Sequence, residues 1–137
     1  MTNLTPKKVL YDCDNTMGLP RKEIDDGLTL LYLLGRSDVE LMGVTTVFGN
    51  GTVDETYNQT KYWLRRLKAS AALRSPVAQG HKATAVYKGA DERGQGNTEA
   101  AHFLAETAAA YPGEIIMLAT GPLSNLRAAA ELDPMFF

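Results

Sequence analysis

The sequence predicts an α/β fold with an open, mostly parallel sheet that carries helices on both faces. Apolar segments typical of buried strands alternate along the chain with segments of helical spacing, and this alternation is characteristic of parallel sheets covered by helices. Polar clusters follow three of the predicted strands, at residues 12–14, 45–50 and 120–125. Because ligands bind beyond the carboxyl ends of the strands in such sheets, we expect the three clusters to meet at one edge.

The first half of the chain holds two predicted strands and two predicted helices. Lys8 to Asp14 reads as a buried strand, because an apolar run fills its centre. Asp25 to Gly35 predicts a helix that two aspartates open and a glycine closes. Val39 to Phe48 is rich in β-branched residues and predicts the second strand, and Thr52 to Ala69 has helical spacing.

The second half continues the alternation, and residues 1–137 are taken as a single domain. Pro76 to Ala78 is expected to form a short strand, and the polar segment from His81 to Gly96 is expected to be a loop. Thr98 to Tyr111 is alanine-rich and predicts a helix. Glu114 to Ala119 predicts an apolar strand, and Pro122 to Leu132 predicts a helix with proline in its first turn.

Composition narrows the class of protein. Hydrophobic residues make up 45% and charged residues 22% of the chain, as in soluble globular proteins, and the net charge of −2 gives no support for binding nucleic acid or an anionic membrane. No apolar run is long enough to span a bilayer. The single cysteine, Cys13, excludes an internal disulfide and fits a reducing compartment. The polar N-terminal segment does not resemble a signal peptide. Together with the single cysteine, it predicts a cytoplasmic protein.

Four aspartates between residues 12 and 26 carry the strongest chemical signal. Asp12 and Asp14 end the first strand, and Asp25 and Asp26 open the first helix. One such pair would be explained by a turn or a helix start, where aspartate is favoured. Two pairs around one strand-to-helix loop would repel each other, and carboxylates in this arrangement typically hold a hard divalent cation. The spacing therefore favours a metal site.

Three segments of the chain resemble the inosine-uridine-preferring nucleoside hydrolases. They are the aspartate cluster, the stretch Gly43 to Asn50 that ends a strand in asparagine, and the turn Ala119 to Leu126 with the sequence Ala-Thr-Gly-Pro-Leu-Ser-Asn-Leu. Their order and spacing also match, and the resemblance covers nearly the whole chain. It implies a Rossmann-like, nucleoside-hydrolase-like version of the α/β fold.

The resemblance also implies a calcium ion and a catalytic carboxylate. By matching position, the metal ligands would be Asp14, Asp26 and the backbone carbonyl of Thr120. Asp12 would take a proton from the attacking water. The chemistry suits these residues, because a bound cation lowers the pKa of its water and a neighbouring carboxylate can accept the proton.

The implied activity is hydrolysis of the N-glycosidic bond of ribonucleosides to ribose and free base, as in purine and pyrimidine salvage. Asp25 would face the ribose hydroxyls and Asn50 would line the same pocket. A ribonucleoside is the expected partner, and self-association into a homo-oligomer is carried over from the family.

The chain departs from the family pattern in three places. Ten residues, Asn15 to Ile24, separate the two aspartate pairs, where the family has a short turn. The segment Tyr87 to Gly96 lacks the family's histidine, so base preference is not readable. Family members are longer than this chain, so we expect the N-terminal part of a truncated domain, with an incomplete site, weak calcium binding and little turnover.

Two alternatives remain open at this stage. Asp12-Cys13-Asp14-Asn15-Thr16 resembles the Asp-x-Asp-x-Thr signature of haloacid-dehalogenase-type phosphatases, in which Asp12 would be the nucleophile, Asp14 the acid/base and the metal Mg²⁺. That alternative does not explain residues 44–50 or 120–125. The other is a non-catalytic remnant that serves as a binding subunit.

Overall fold

The computed structural model describes residues 5–74 and 84–137 of the chain. Strands and helices alternate within these residues. They are β1 (Lys7–Cys13), α1 (Asp25–Gly35), β2 (Val39–Thr46), α2 (Val53–Arg74), β3 (Val86–Lys88), α3 (Glu99–Ala110), β4 (Ile115–Ala119) and α4 (Ser124–Leu132). The strands form one parallel sheet in the order β3-β2-β1-β4. The predicted open parallel sheet is confirmed.

The helices cover both faces of the sheet because successive residues of β1 point to opposite sides. On one side Val9 and Tyr11 pack against Leu30 and Leu33 of α1. On the other side Leu10 packs in a second core with residues of α3 and α4. Strand β1 is buried from Val9 to its end, so the polar residues that follow it start from the centre of the fold.

The loop predicted from His81 to Gly96 is wrong in one part, because it contains the strand β3. This strand has only three residues, and it forms by parallel pairing with Val44 to Thr46 of β2. So short a strand is specified by its neighbour and not by a local pattern. The short strand predicted from Pro76 to Ala78 lies outside the described residues.

Two helix boundaries also differ from the prediction. Helix α4 begins at Ser124 with Leu123 as its N-cap, so Pro122 precedes the helix and is not in its first turn. Pro122 instead lies against the loop after β2, where a Cβ on Gly49 would come 3.0 Å from its Cδ. Helix α2 runs to Arg74, beyond the predicted end at Ala69. None of the helices in the described ranges combines the length and apolar character that crossing a membrane requires.

The insertion from Asn15 to Ile24 is anchored to α2 and α1. The Asn15 amide donates to the Thr60 hydroxyl at 3.3 Å, and the Met17 carbonyl accepts from the Trp63 indole at 2.7 Å. Met17 is buried against Gly27, where an added Cβ would lie 2.5 Å from the Met17 Cβ. The insertion therefore folds back onto the domain and returns the second aspartate pair to the end of β1.

Replacing Gly27 by alanine tests this packing. In an exposed helix the change is stabilising, but here the new methyl group meets Met17 near its backbone, where the side chain cannot easily move. We expect overpacking to outweigh the gain in helix propensity and to lower the free energy of unfolding by about 1–2 kcal/mol.

Gly35→Ala is the matched control, because nothing lies within 4 Å of a Cβ at that end of α1. Chemical denaturation should show it equal to the wild type or slightly more stable. A stabilised Gly27→Ala variant would mean that the insertion does not pack on α1 as described.

Candidate active site

Asp12 lies fully buried at the end of the central strand β1. Its Oδ1 atom accepts hydrogen bonds from the Thr45 hydroxyl at 2.6 Å and from the Asn125 side-chain amide at 2.8 Å. Its Oδ2 atom is buried and has no hydrogen-bond partner within the described part of the chain. Such an orphaned acceptor is costly in a folded protein, and it marks a position where a ligand or water can bind.

Burial raises the pKa of Asp12 from its ordinary value of 3.8 to about 6. The hydrogen bonds from Thr45 and Asn125 oppose this shift, and the charge of Asp14 adds to it. A carboxylate with such a pKa is ionised at neutral pH and is more basic than an exposed aspartate. It is therefore suited to accept a proton.

Asp14 and Asp26 are linked across the insertion. The backbone N–H of Asp14 donates to Asp26 Oδ2 at 2.9 Å, and the backbone N–H of Asn50 donates to Asp14 Oδ2 at 2.8 Å. Both aspartates are buried. Burial, together with the side chain of Asp14, raises the pKa of Asp26 to about 7. The neighbouring Asp14 side chain therefore makes the Asp26 carboxyl group harder to ionise in the absence of a cation.

Two glycines give the Asp14 carboxylate its space. A Cβ on Gly49 would lie 2.1 Å from Asp14 Oδ2, and a Cβ on Gly121 would lie 3.1 Å from Asp14 Oδ1. The loops after β2 and β4 therefore each place a glycine, which has no side chain, against the Asp14 carboxylate. A side chain at Gly49 would displace the carboxylate or the loop.

Thr120 connects β4 to the same region. Its backbone N–H donates to the carbonyl of Asp12 at 3.0 Å. Its hydroxyl donates to the Tyr11 hydroxyl at 3.1 Å, and the Tyr11 hydroxyl donates to the carbonyl of Asp26 at 3.1 Å. These bonds join the ends of β1 and β4 to the first turn of α1.

Asn125 is a site residue to which the sequence prediction gave no role. Its fully buried amide donates to Asp12 Oδ1 and to the Thr46 carbonyl, and its oxygen accepts from the Ala90 N–H at 2.9 Å. A Cβ on Gly89 would lie 2.2 Å from that oxygen. The sequence placed Asn125 in the polar cluster after the last strand but did not indicate its partners.

Five of the six predicted site residues are joined by hydrogen bonds, directly or through Tyr11. They are Asp12, Asp14, Asp26, Asn50 and Thr120. The sixth, Asp25, is exposed on the first turn of α1. The buried thiol of Cys13 has a pKa well above its usual range, chiefly through burial. A buried thiol that resists ionisation is a poor nucleophile, so Cys13 is a packing residue of the core.

The donor set suits a hard cation but does not complete a site. Within residues 5–74 and 84–137, no three His, Cys, Asp or Glu side chains gather closely enough to hold a metal ion. Asp14 and Asp26 nevertheless supply buried carboxylate oxygens, and Asp14 lies close enough to Asp12 for its charge to raise the pKa of Asp12. Hard cations such as Ca²⁺ bind oxygen ligands of this kind, and they also accept backbone carbonyls, water and ligand hydroxyls.

Replacing Asn125 by alanine should destabilise the protein strongly. The change removes one of the two donors to Asp12 Oδ1 and leaves the Thr46 carbonyl and the Ala90 N–H without this partner. We expect the free energy of unfolding at pH 7 to fall by about 2–4 kcal/mol in denaturant titrations. Asn58→Ala, at an exposed position of α2, should change it by less than about 0.5 kcal/mol. Equal effects of the two changes would contradict the role given to Asn125.

The raised pKa of Asp12 predicts a pH-dependent loss of stability in metal-free protein. The folded state binds the Asp12 proton more tightly than the unfolded chain, so its stabilising effect is complete below pH 3.8 and disappears as the pH rises through 6. Asp12→Asn removes this titration. We expect the variant to gain roughly 2–3 kcal/mol relative to the wild type between pH 4 and pH 7. Parallel stability curves for the two proteins would show that Asp12 is not perturbed.

The chain matches the family model described as inosine-uridine preferring nucleoside hydrolase over residues 9–137. It is 33% identical over 134 residues to "Probable uridine nucleosidase 1" of Oryza sativa subsp. japonica, covering 82% of this chain and 40% of the relative. It is 31% identical over 150 residues to "Probable uridine nucleosidase 2" of Arabidopsis thaliana, covering 95% of this chain and 44% of the relative. The chain thus spans less than half the length of these relatives.

Two solved structures share the fold. The plant nucleoside hydrolase PpNRh1 superimposes with a TM-score of 0.66 at 24% identity, covering 96% of this chain and 44% of that one. The purine-preferring ribonucleoside hydrolase from Gardnerella vaginalis superimposes with a TM-score of 0.63 at 24% identity, and the match covers 95% of this chain and 45% of that one. The phosphatase alternative is not favoured by these matches. By its sequence match over residues 9–137, the chain belongs to the family of inosine-uridine preferring nucleoside hydrolases.

Proposed function

We propose that this chain provides the proton-accepting and cation-binding side of a site that hydrolyses the N-glycosidic bond of ribonucleosides. The observation that carries the proposal is Asp12, which has one carboxylate oxygen held by two donors and the other buried without a partner. An acceptor fixed in this way is suited to activate water, and the charge of Asp14 makes it more basic. Family membership supports the same reaction class.

In the proposed reaction Asp12 Oδ2 takes a proton from a water molecule that attacks the anomeric carbon of the ribose. The bond from that carbon to the base nitrogen breaks, and the base leaves with the bonding electrons. Thr45 and Asn125 hold the other carboxylate oxygen, so the acceptor cannot rotate away. Positive charge develops on the ribose as the bond breaks, and the neighbouring carboxylates stabilise it electrostatically.

We propose calcium as the cation, held by Asp14, Asp26 and the carbonyl of Thr120. Support comes from the donor set, which is hard oxygen, and from the raised pKa of Asp26, which burial and the Asp14 side chain cause and which a nearby positive charge would lower. When bound, the ion lowers the pKa of its water and offsets the like charges. The remaining ligands would come from water, substrate hydroxyls or protein groups beyond those described.

The substrate proposal places the ribose near Asp25 and Asn50. Asp25 is exposed, so its carboxylate is accessible to hydroxyl groups. Several relatives carry the name uridine nucleosidase and others are called pyrimidine-specific, whereas one structural neighbour is called purine-preferring. Uridine and inosine are therefore the first pair of substrates to compare. A cytoplasmic location and self-association stay predictions from the sequence.

The reaction is tested by measuring free base and ribose released from uridine and inosine, with added Ca²⁺ and with a chelator. Release that needs Ca²⁺ supports the proposal for this chain. If neither millimolar Ca²⁺ nor ribose raises the melting temperature and no base is released, the chain is better described as a non-catalytic remnant, because a ligand of the native state must stabilise it.

Asp14→Asn tests the metal assignment with little change of shape. The variant keeps an oxygen acceptor for the Asn50 N–H but loses the negative charge, and calcium affinity depends on the number of charged ligands. We expect the affinity to fall roughly tenfold or more in calorimetric titrations. Glu92→Gln removes one negative charge at an exposed position and should leave the calcium affinity unaltered. Unchanged affinity in Asp14→Asn would remove Asp14 from the ligand set.

A further inference from the structure

We propose that Tyr11 is a positioning residue, whose buried hydroxyl sets the relative placement of the Asp26 turn and the Thr120 loop. These two segments are the ones from which most of the proposed calcium ligands come, so the calcium part of this inference rests on the proposed function. The geometric part stands independently of any metal. Tyr11 touches neither the substrate nor the reacting atoms in this proposal.

The ring of Tyr11 is packed in the core. It is fully buried on the face of β1 that packs against α1, where its neighbours include Val9, Leu30 and Leu33. Asp12, the next residue, points to the opposite face, toward Asn125 of α4. Strand β1 therefore places the proposed base, Asp12, on one face of the sheet and the buried Tyr11 hydroxyl on the other.

The Tyr11 hydroxyl both donates and accepts a hydrogen bond within the candidate active site. It donates its one proton to the carbonyl of Asp26 at 3.1 Å and accepts from the Thr120 hydroxyl at 3.1 Å. The two partners lie 15 and 109 residues away in the sequence. They belong to the first turn of α1 and to the loop after β4, and the tyrosine hydroxyl bridges them.

The bond to the Asp26 carbonyl bears on the Asp26 carboxylate as well. The Asp26 carboxylate accepts a hydrogen bond from the Asp14 N–H, and the Asp26 carbonyl accepts one from Tyr11. The side chain and the backbone of Asp26 are therefore both bonded to the end of β1. Without the Tyr11 hydroxyl, this turn keeps the hydrogen bond from the Asp14 N–H and the apolar packing of α1 on β1 but loses its hydrogen bond to the strand itself. A buried tyrosine normally finds some partner, and here both partners are proposed site segments.

Tyr11→Phe removes the hydroxyl and keeps the ring, and Thr56→Val is the matched control. Thr56 is also fully buried, and its hydroxyl lies 3.0 Å from the Val47 carbonyl and 3.1 Å from the Val53 carbonyl, the two acceptors that share its one proton. The first readout is amide hydrogen exchange in the metal-free chain of residues 1–137. Its probes are the N–H groups of Asp14 and Thr120, which donate to Asp26 Oδ2 and the Asp12 carbonyl.

In Tyr11→Phe we expect exchange at both probes to accelerate roughly fivefold or more. Exchange at the Phe48 N–H, which donates to the Ala90 carbonyl in another part of the same sheet end, should remain as in the wild type. Thr56→Val should not show this local pattern. The second readout is calcium affinity, which should fall roughly tenfold in Tyr11→Phe, as for other groups that orient metal ligands, and stay unchanged in Thr56→Val.

Two results would overturn the proposal. Unchanged exchange at Asp14 and Thr120 would show that the hydroxyl positions neither segment. Equal acceleration at all three amides would show a general loss of stability and no positioning role. If the wild-type chain binds no calcium, the metal part of the proposed function fails, and the exchange pattern still decides the role of Tyr11.

Discussion

The buried amide of Asn125 ties together the ends of β1, β2 and the loop after β3 by three hydrogen bonds. All of its bonds run to groups that are hidden from water, so each would be expensive to leave unpaired. The close approach of Gly89 to the same amide leaves it no room to turn. The orientation of Asp12, and with it the chemistry proposed for the site, depends on this side chain together with the Thr45 hydroxyl.

The arrangement favours reactivity over stability. A buried carboxylate with an unpaired oxygen and two further buried aspartates nearby are groups that a domain selected for stability alone would avoid. The compensation comes from the apolar packing of β1, whose alternate residues fill the two cores. A central strand buried on both faces can hold charged residues at its end that an edge strand could not.

Much of the fold could be predicted from the sequence, because long apolar runs and helical spacing reflect burial directly. Strands β1 and β4 and helix α1 follow such patterns, and the aspartate cluster lies where predicted. Strand β3 was missed because three residues carry no period of their own.

The role of Asn125 could not be derived from spacing, since its partners come from three distant segments and only the fold brings them together. The path of the insertion was equally hidden. It depends on single contacts such as Trp63 with the Met17 carbonyl. Local patterns report which side chains are buried, whereas polar contacts between distant segments appear only in the folded chain.

The strand order has a consequence for biosynthesis. Strand β1 is made first but lies between β2 and β4, and its contact with Asn125 closes a separation of 113 residues. At ordinary translation rates the ribosome needs on the order of 10 s to reach that residue. During this time one edge of β1, whose central residues Val9 to Tyr11 are apolar, has no partner, and such edges are prone to aggregate. The nascent chain should therefore depend on chaperones until β4 emerges.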